Sequence, residues 1–279
     1  MNAALMALVL APGALQAPPP VFQAAVERVE LEVWVSRHGR PVSGLTAANF
    51  EVRDNGVVQE VTLVGGREDP ARPVLVLDVS GSVRGRRLEQ LKSAAGTLLD
   101  GLVPGDQAAL VTFSQRLNVL SNFAAPQRVR QRLNAASAGG ATSFYDALYL
   151  GFALATSRKE PSTLVVFTDA DDNLSWLGAQ ELLRVAEEAT PAVHVVTVGT
   201  PTPFLERLAQ RTGGSLFTAD WKHLERSFRR VLENLRHRIR LQYEPRNVAP
   251  GGWHSLRVKL RNAKGDVRAR PGYFRRPGR

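Results

Sequence analysis

The chain of 279 residues has 44% hydrophobic and 22% charged residues, ordinary fractions for a globular protein that exclude a mostly disordered chain. It contains no cysteine, which excludes disulfides, thiolate metal sites, iron–sulfur clusters and cysteine nucleophiles. The net charge is +10, and residues 221–279 carry it, with 17 Lys and Arg against four acidic residues. This basic C-terminal segment indicates a solvated helix face or contact with an anionic surface. No nucleic-acid-binding motif accompanies it, so we expect no nucleic-acid partner.

The first residues of the chain are apolar. The run Ala3–Leu10 is too short to span a bilayer and is typical of the hydrophobic part of a secretory signal peptide. The signal is atypical, because no Lys or Arg precedes Arg28 and Pro18–Pro20 follow the cleavage site after Ala17. We expect residues 1–25 to be a signal peptide or a disordered N-terminus. The protein would be exported to the periplasm or the exterior, with a cytoplasmic location as the alternative, and no later segment predicts a transmembrane helix.

Residues 26–66 have the pattern of half-buried β-strands. Apolar residues from Val29 to Val35 alternate with polar ones, which is the period of a strand with one buried face. Asp54-Asn55-Gly56 favours a tight hairpin, because a type I′ turn needs positive φ at both central residues. The segment therefore predicts a small antiparallel unit, followed by a linker at Gly65–Arg72.

Residues 72–237 have a different pattern, in which near-continuous apolar runs alternate with helical periodicity. Such runs are typical of parallel strands that are buried on both faces, and their alternation with helices predicts a doubly wound α/β domain. The last predicted helix of this domain is Trp221–His237. The apolar runs are Val74–Leu77, Ala108–Val111, Thr163–Phe167 and Val193–Val198.

Residues 238–276 return to the alternating pattern of strands. Neither this segment nor residues 26–66 offers enough strands to bury a sheet face by itself. We therefore expect both ends of the chain to form one small β-sandwich, into which the α/β domain is inserted. Because the last helix leads almost directly into the strand Ile239–Tyr243, it is either a rigid connection or a conformational switch between the two domains.

Three oxygen-rich segments follow predicted strands or precede a predicted helix of the α/β domain. The first contains Asp78, Ser80 and Ser82, the second contains Thr142 in a glycine-rich stretch, and the third contains Asp169. Ligands of open α/β sheets bind at the carboxyl ends of the strands, so we expect these side chains to converge. Hydroxyl and carboxylate oxygens suit Mg²⁺ or Mn²⁺. The alternative is a set of helix N-caps.

In order and spacing, these five residues resemble the metal-ion-dependent adhesion site of von Willebrand factor A (VWA) domains. The resemblance implies a Rossmann-like fold in which Ser80, Ser82 and Thr142 bind the ion directly, Asp78 anchors the site, and Asp169 binds directly or through water. Other segments are similar to a bacterial VWFA-related subfamily that is frequent in acidobacteria. They are Gly44–Thr46, Asn49–Val52, Phe144–Leu148, Leu208–Gly214 and Val267–Tyr273.

The resemblance implies a non-enzymatic module that binds an Asp or Glu carboxylate of an unknown protein partner through the cation. Asp171, Asp172 and Trp176 follow the third segment and are candidate partner contacts. A structural VWA scaffold with a vestigial metal site stays open as an alternative. So does a Mg-dependent phosphohydrolase of the haloacid dehalogenase type, although that chemistry needs a second Asp where Ser80 stands.

Two further residues have structural interpretations. Asp146 lies in the first turn of a predicted helix, where a carboxylate is stabilised by the helix dipole, so we expect a structural role. His194 lies within an apolar strand and shows no metal-ligand spacing with another histidine. We expect it to be a core residue with its hydrogen bonds satisfied.

Overall fold

The computed structural model describes residues 28–66, 69–169 and 172–275. The expected signal peptide at residues 1–25, the candidate contact Asp171 and residue 276 of the C-terminal segment lie outside the described residues. Within the described ranges, no helix is long and apolar enough to cross a membrane.

The chain forms short strands at both ends and alternating strands and helices between them. The strands are β1 (Val29–Arg37), β2 (Arg40–Pro41), β3 (Phe50–Asp54), β4 (Val57–Gln59), β5 (Thr62–Gly65), β6 (Pro73–Asp78), β7 (Ala108–Phe113), β8 (Leu117–Ala124), β9 (Thr163–Thr168), β10 (Val193–Val198), β11 (Leu216–Ala219), β12 (Ile239–Tyr243), β13 (Gly252–Leu260), β14 (Asp266–Ala269) and β15 (Gly272–Arg275). The helices are α1 (Arg86–Asp100), α2 (Pro126–Asn134), α3 (Phe144–Thr156), α4 (Ala179–Glu188), α5 (Pro203–Thr212) and α6 (Leu224–Arg236). Short 3₁₀ helices lie at Ala47–Asn49, Gly81–Val83 and Trp221–His223.

The central sheet has six strands in the order β11-β10-β9-β6-β7-β8. Neighbouring strands are parallel, except that β8 runs antiparallel to β7 at the edge. Helices cover both faces: Leu75 and Leu77 of β6 lie in the core with α1, α2 and α6, whereas Val74 and Val76 lie in the core with α3, α4 and α5. The predicted doubly wound α/β domain is therefore confirmed.

Two strands of this sheet are absent from the sequence prediction. The edge strand β8 is mostly exposed and shows register shifts against β7, so it lacks the apolar run that marks the buried strands. The other, β11, has only four residues. The last helix also differs from the prediction, because Trp221–His223 forms a 3₁₀ turn and α6 spans only Leu224–Arg236.

Helix α6 is amphipathic, as its sequence predicts. Its apolar stripe, which includes Phe228 and Val231, is buried against the central sheet and α1. Arg226, Arg229 and Arg230 lie on its exposed side. This part of the basic C-terminal segment therefore has the geometry of a solvated helix face.

Strands from the two ends of the chain pair with each other in two further sheets. One sheet has the order β14-β1-β12-β5, in which Leu31 of β1 lies opposite Leu241 of β12, and β2 pairs with β1. The other has the order β15-β13-β3-β4, in which Val52 of β3 lies opposite Val258 of β13. Leu31, Leu241, Val52 and Phe50 belong to one hydrophobic core that the two sheets share.

The hairpin between β3 and β4 turns at Asn55 and Gly56. Both residues have positive φ, 45° and 84° respectively, which is the backbone conformation that the Asp-Asn-Gly sequence predicts. Glycine adopts this conformation without a Cβ penalty, and asparagine tolerates it better than most residues.

The terminal sheets contact the α/β domain through named hydrogen bonds. Trp34 of β1 donates its Nε1–H to the carbonyl of Asn234 in α6 over 2.8 Å. The guanidinium of Arg270 donates to the carbonyls of Glu187 and Ala189, at the end of α4, over 2.7 and 3.0 Å. These bonds satisfy carbonyl groups at the C-termini of helices, which have no partner inside the helix.

His194 differs from its prediction in one respect. It is fully buried in β10, and its ring meets that of Trp34 edge to face with the centroids 5.3 Å apart. Neither ring nitrogen has a hydrogen-bond partner among the described residues, so its polar atoms are not satisfied as expected. Burial, assisted by the charge of Arg268, lowers the pKa of His194 to about 3, which keeps the ring neutral.

Candidate metal centre

The first two oxygen-rich segments meet at the carboxyl edge of the central sheet. Gly81 donates its N–H to the carbonyl of Gly140 over 2.8 Å, and Gly139 donates to the carbonyl of Val79 over the same distance. Gly140 has a φ of 89°, and a Cβ on Gly81 would lie 3.2 Å from the Gly140 carbonyl oxygen. The glycines therefore allow the segment after β6 to lie directly against the segment that leads to Thr142.

The side chains of the first and third segments form a continuous chain of oxygen atoms. The hydroxyl oxygens of Ser80 and Ser82 are 3.0 Å apart, and Ser82 donates its hydroxyl to Oδ1 of Asp169 over 2.8 Å. Ser80 is buried, whereas Ser82 is exposed. The structure thus brings together three of the five predicted ligands and leaves one side of the cluster open to solvent.

Asp78 is a buried carboxylate at the base of this cluster. Its Oδ1 accepts the backbone N–H of Ser80 over 2.8 Å, and its Oδ2 accepts the hydroxyl of Thr168 over 2.9 Å. Burial raises the pKa of Asp78 to about 6 from its ordinary value of 3.8; hydrogen bonds from the hydroxyl and the N–H of Ser80 and from the hydroxyl of Thr168 oppose this rise, and the charge of Asp169 adds to it. Within the described residues, Asp78 forms no salt bridge with a Lys, Arg or His side chain.

Thr142 is buried in the second segment and is tied to the loop that follows Asp169. Its N–H donates to the side-chain oxygen of Asn173 over 2.8 Å, and its carbonyl accepts the N–H groups of Asn173 and Leu174 over 3.1 Å each. The backbone of the second segment is therefore joined to the loop that follows the third segment, at the carboxyl edge of the sheet.

Helix capping does not account for these hydroxyl groups. Ser80 and Ser143 occupy the N-cap positions of the 3₁₀ turn Gly81–Val83 and of α3, but neither side chain makes a capping hydrogen bond. The cap of α3 comes instead from Oδ1 of Asp172, which accepts the N–H of Phe144 over 2.6 Å. The hydroxyls of Ser80 and Ser82 contact each other in the oxygen cluster.

Asp172, a candidate partner contact, is hydrogen-bonded within its own loop and to the start of α3. Its carboxylate accepts the N–H of Phe144 in α3 and both the N–H and the hydroxyl of Ser175. The N-terminus of a helix presents unpaired N–H groups and a partial positive charge, which attract a carboxylate from a neighbouring loop. Asp172 therefore shapes the loop, and its role as a partner contact stays a prediction.

Asp146 and Trp176 occupy complementary positions. Asp146 accepts the N–H groups of Trp176 and Leu177 over 3.0 Å each, in agreement with its predicted structural role. The side chain of Trp176 is 97% exposed. The sequence did not indicate Thr168, Asn173 or Ser175 as supporting residues, although all three belong to the polar run after the strand Thr163–Phe167.

The residues of the cluster fit a hard divalent cation. The donor atoms are hydroxyl and carboxylate oxygens, which Mg²⁺ and Mn²⁺ prefer. Asp78 supplies the structural reason, because a buried carboxylate with no cationic neighbour ionises at a cost that a bound cation removes. In the part of the chain that the structure describes, no group of three His, Cys, Asp or Glu side chains forms a further candidate site.

This fold and this rim of oxygen side chains define a Rossmann-like domain with a candidate cation site at the carboxyl edge of its sheet. Residues 74–171 match the family model of the von Willebrand factor type A domain. The chain therefore contains a VWA domain, and domains of this family commonly mediate protein–protein interactions.

Two relatives each match about half of the chain. The inter-alpha-trypsin inhibitor heavy chain H4 of Sus scrofa is 28% identical over 162 residues, which are 52% of this chain and 18% of that protein. An uncharacterized protein of Synechocystis sp. is 33% identical over 164 residues, which are 54% of this chain and 38% of that protein. The chain thus spans well under half the length of these relatives.

Solved structures share the fold. A von Willebrand factor type A protein from Catenulispora acidiphila aligns with a TM-score of 0.57 and 12% identity, over 84% of this chain and 75% of that one. Proximal thread matrix protein 1 from the mussel byssus aligns with a TM-score of 0.54 and 16% identity, over 66% of this chain and 50% of that one. At these identities the likeness concerns the fold alone.

Proposed function

We propose that the chain is a non-enzymatic interaction module that holds Mg²⁺ or Mn²⁺ with Asp78, Ser80, Ser82, Thr142 and Asp169. The bound cation would accept an Asp or Glu carboxylate from a partner protein. The observation that carries this proposal is the buried Asp78 carboxylate, which has no cationic neighbour among the described residues and faces hydroxyl groups that can all accept.

Each residue of the set has its own task in the proposed site. Asp78 accepts the N–H of Ser80 and so orients the turn that carries both serines. Asp169 holds the hydroxyl of Ser82, and the loop after Asp169 holds the backbone of Thr142. When bound, a cation with few protein carboxylates stays electrophilic and supplies an open position for an external carboxylate.

A structural scaffold with a vestigial site is the second candidate. It is favoured by the hydrogen bonds among Ser80, Ser82 and Asp169, which satisfy these side chains without an ion. A phosphohydrolase of the haloacid dehalogenase type has less support, because Ser80 stands where that chemistry needs a general acid.

The proposal includes the domain organisation. Residues 26–66 and 238–276 would form one β-sandwich that carries the VWA domain of residues 72–237. The support is the pairing of β1 with β12 and of β3 with β13, together with the core that the two terminal sheets share.

The test of the metal site is a calorimetric titration of the full chain with Mn²⁺ and with Mg²⁺. We expect one ion per chain and loss of binding in Asp78→Ala, because the residue that orients both serines is removed. Asp100→Ala is the matched control, since Asp100 is an exposed residue at the end of α1. Unchanged affinity in Asp78→Ala, with a folded chain by circular dichroism, contradicts the proposal.

The scaffold and the interaction module differ in their partner binding. Proteins retained on the immobilised chain in Mg²⁺ and released by EDTA support the module when Asp78→Ala fails to retain the same proteins. A chain that binds the ion but retains the same proteins in Mg²⁺ and in EDTA is a scaffold whose site serves folding only.

A further inference from the structure

Trp176 is an exposed aromatic residue on an ordered loop. Its side chain is 97% exposed, yet the backbone of the loop is held at several points. Asp146 accepts the N–H of Trp176, Asp172 accepts the N–H and hydroxyl of Ser175, and Thr142 accepts the N–H of Leu174. An indole that is presented in this way loses little conformational entropy on binding, which is the property of an interface anchor.

Two other exposed apolar side chains belong to the same loop or to the helix that holds it. Leu174 is two residues away in the same loop and is 47% exposed. Tyr149 is 50% exposed and lies one helical turn after Asp146, the residue that holds the backbone of Trp176. We call Trp176, Leu174 and Tyr149 the Trp176 patch. Grouped exposed apolar residues of this kind mark interaction sites more often than single ones.

The Trp176 patch borders the candidate metal centre. The carbonyl of Thr142 accepts the N–H of Leu174, so a proposed metal ligand and a patch residue are joined by one hydrogen bond. A partner whose carboxylate reaches the metal centre therefore brings its neighbouring residues over the patch.

Charged side chains around the same rim differ in whether they already have partners within the chain. The carboxylates of Asp146 and Asp172 are each occupied by backbone N–H groups. Arg84 and Arg116, by contrast, are exposed, and neither forms a salt bridge with a carboxylate of the described residues.

Both arginines belong to the rim. Arg84 lies against Gly139, because a Cβ atom built on Gly139 would lie 3.0 Å from Nη2 of Arg84. Arg116 lies in the turn after β7, and the carbonyl of its neighbour Ser114 accepts the N–H of Ser143, next to Thr142. The available side-chain charge at the rim is thus positive, beside an apolar patch.

From this juxtaposition we infer that the partner segment is an acidic polypeptide that places an aromatic or large aliphatic side chain on Trp176. Its further carboxylates face Arg84 and Arg116. The inference rests on the proposed function for the carboxylate that reaches the cation. Charge complementarity selects an acidic segment over a basic one, and the indole adds affinity through apolar burial.

The probe is a displayed library of random linear peptides, selected on the immobilised full chain in Mg²⁺. We expect enriched peptides to carry at least two acidic residues and one aromatic or large aliphatic residue close to them. Enrichment of basic peptides, or of acidic peptides without an apolar residue, overturns the inference. The inference is also overturned if the chain binds phosphatidylcholine vesicles through Trp176 but enriches no peptide.

Two variants measure the two halves of the inference with synthetic copies of the enriched peptides. Trp176→Ala should raise the Kd at least about 10-fold. Trp253 is an exposed tryptophan of β13, and Trp253→Ala should leave the Kd unchanged. Arg84→Gln combined with Arg116→Gln should slow association at low salt and lose this effect at high salt. The matched control replaces Arg128 and Arg132, exposed residues of α2.

The outcomes separate the inference from the proposed function. Binding that EDTA abolishes but Trp176→Ala does not affect leaves the metal site standing and overturns the inference. Binding that Trp176→Ala weakens but EDTA does not affect supports the apolar contact and contradicts the metal-dependent function. Because the side chain of Trp176 is almost fully exposed, its replacement should not alter the thermal unfolding midpoint.

Discussion

Asp54 in the terminal sheets and Asp78 in the VWA domain are both fully buried, but their surroundings differ. Asp54 accepts the hydroxyls of Tyr243 and Tyr273 over 2.8 and 2.9 Å, and its other oxygen lies 2.7 Å from Nδ1 of His254. Both carboxylate oxygens of Asp54 therefore have side-chain donors. These donors come from three strands distant in sequence, so the cluster joins β3 to β12, β13 and β15.

Asp78 has a different set of neighbours. The backbone N–H and the hydroxyl of Ser80 and the hydroxyl of Thr168 reach its carboxylate, while Asp169 adds a second negative charge to the cluster. The difference indicates why only Asp78 of the two is a candidate cation ligand. Side-chain donors from three strands surround Asp54, whereas Asp78 lies beside a second negative charge that a cation would offset.

The largest expected effect concerns Asp54 and its three hydrogen-bond donors in the terminal sheets. Asp54→Ala leaves two tyrosine hydroxyls and the ring of His254 without their buried acceptor, so it should lower the free energy of unfolding by about 3–5 kcal/mol. The measurement is urea denaturation followed by circular dichroism. Glu60→Gln is the control, because its exposed pair with Arg246 should contribute less than about 1 kcal/mol. A loss as small as that of the control would show that the cluster is not structural.

The second effect is the pH dependence that Asp78 imposes on the metal-free chain. Its pKa is about 6 in the folded chain and 3.8 ordinarily, so the folded state binds the proton more tightly. Stability from this group is complete below its ordinary pKa and is lost as the pH rises through about 6.

Asp78→Asn removes this titration. In EDTA, the free energy of unfolding of the wild-type chain relative to Asp78→Asn should therefore fall by up to about 3 kcal/mol between about pH 4 and pH 7. Urea denaturation at successive pH values measures the difference. A difference that is constant or rises with pH would show that the carboxylate is not destabilised by its burial.

The third prediction concerns the loop after Asp169, which supports the candidate metal centre. Asp172→Asn weakens the acceptor for Phe144 and Ser175 without touching a proposed ligand. We expect Mn²⁺ affinity to fall by roughly 10- to 100-fold, because residues that orient metal ligands commonly contribute this much. The control is Glu206→Gln, an exposed carboxylate in the first turn of α5. Equal affinities for both variants and wild type would show that the rim does not depend on this loop.

The last prediction is that the arrangement of the terminal sheets and the VWA domain does not change when the cation site is filled. The hydrogen bonds of Trp34 to α6 and of Arg270 to the end of α4 favour a rigid connection over a switch. Spin labels at Arg229 and Arg257 should give the same distance distribution in EDTA, in Mg²⁺, and in Mg²⁺ with acetate as carboxylate. A shift of the distribution on addition of Mg²⁺ or acetate would show that the site is coupled to the terminal sheets.

Much of the fold can be read from hydrophobic periodicity. The apolar runs of β6, β7, β9 and β10 predict buried parallel strands because both faces of these strands are covered. The edge strand β8 could not be predicted in this way, because its exposed residues leave no apolar pattern and its place depends on pairing with β7.

Some residues of the candidate site could likewise be found from the sequence, whereas other features of the site could not. Asp78, Ser80 and Ser82 could be found from sequence because strand C-termini collect at one edge of a parallel sheet, whichever residues lie between them. The hydrogen-bond partners of Asp146 and Asp172 could not, since they are backbone N–H groups of segments that follow or precede them by about 30 residues.

The sequence by itself determined the alternation of strands and helices, the turn at Asn55-Gly56 and the order of the oxygen-rich segments, because each is a local property of a few neighbouring residues. Only the tertiary structure decided which carboxylates are occupied and which are available. The donors to Asp54 lie about 190 to 220 residues away in sequence. Strand pairing brings His254 and Tyr273 to Asp54, and the packing of the two terminal sheets brings Tyr243. Burial then sets the energetic value of each contact, and burial is a property of the whole fold.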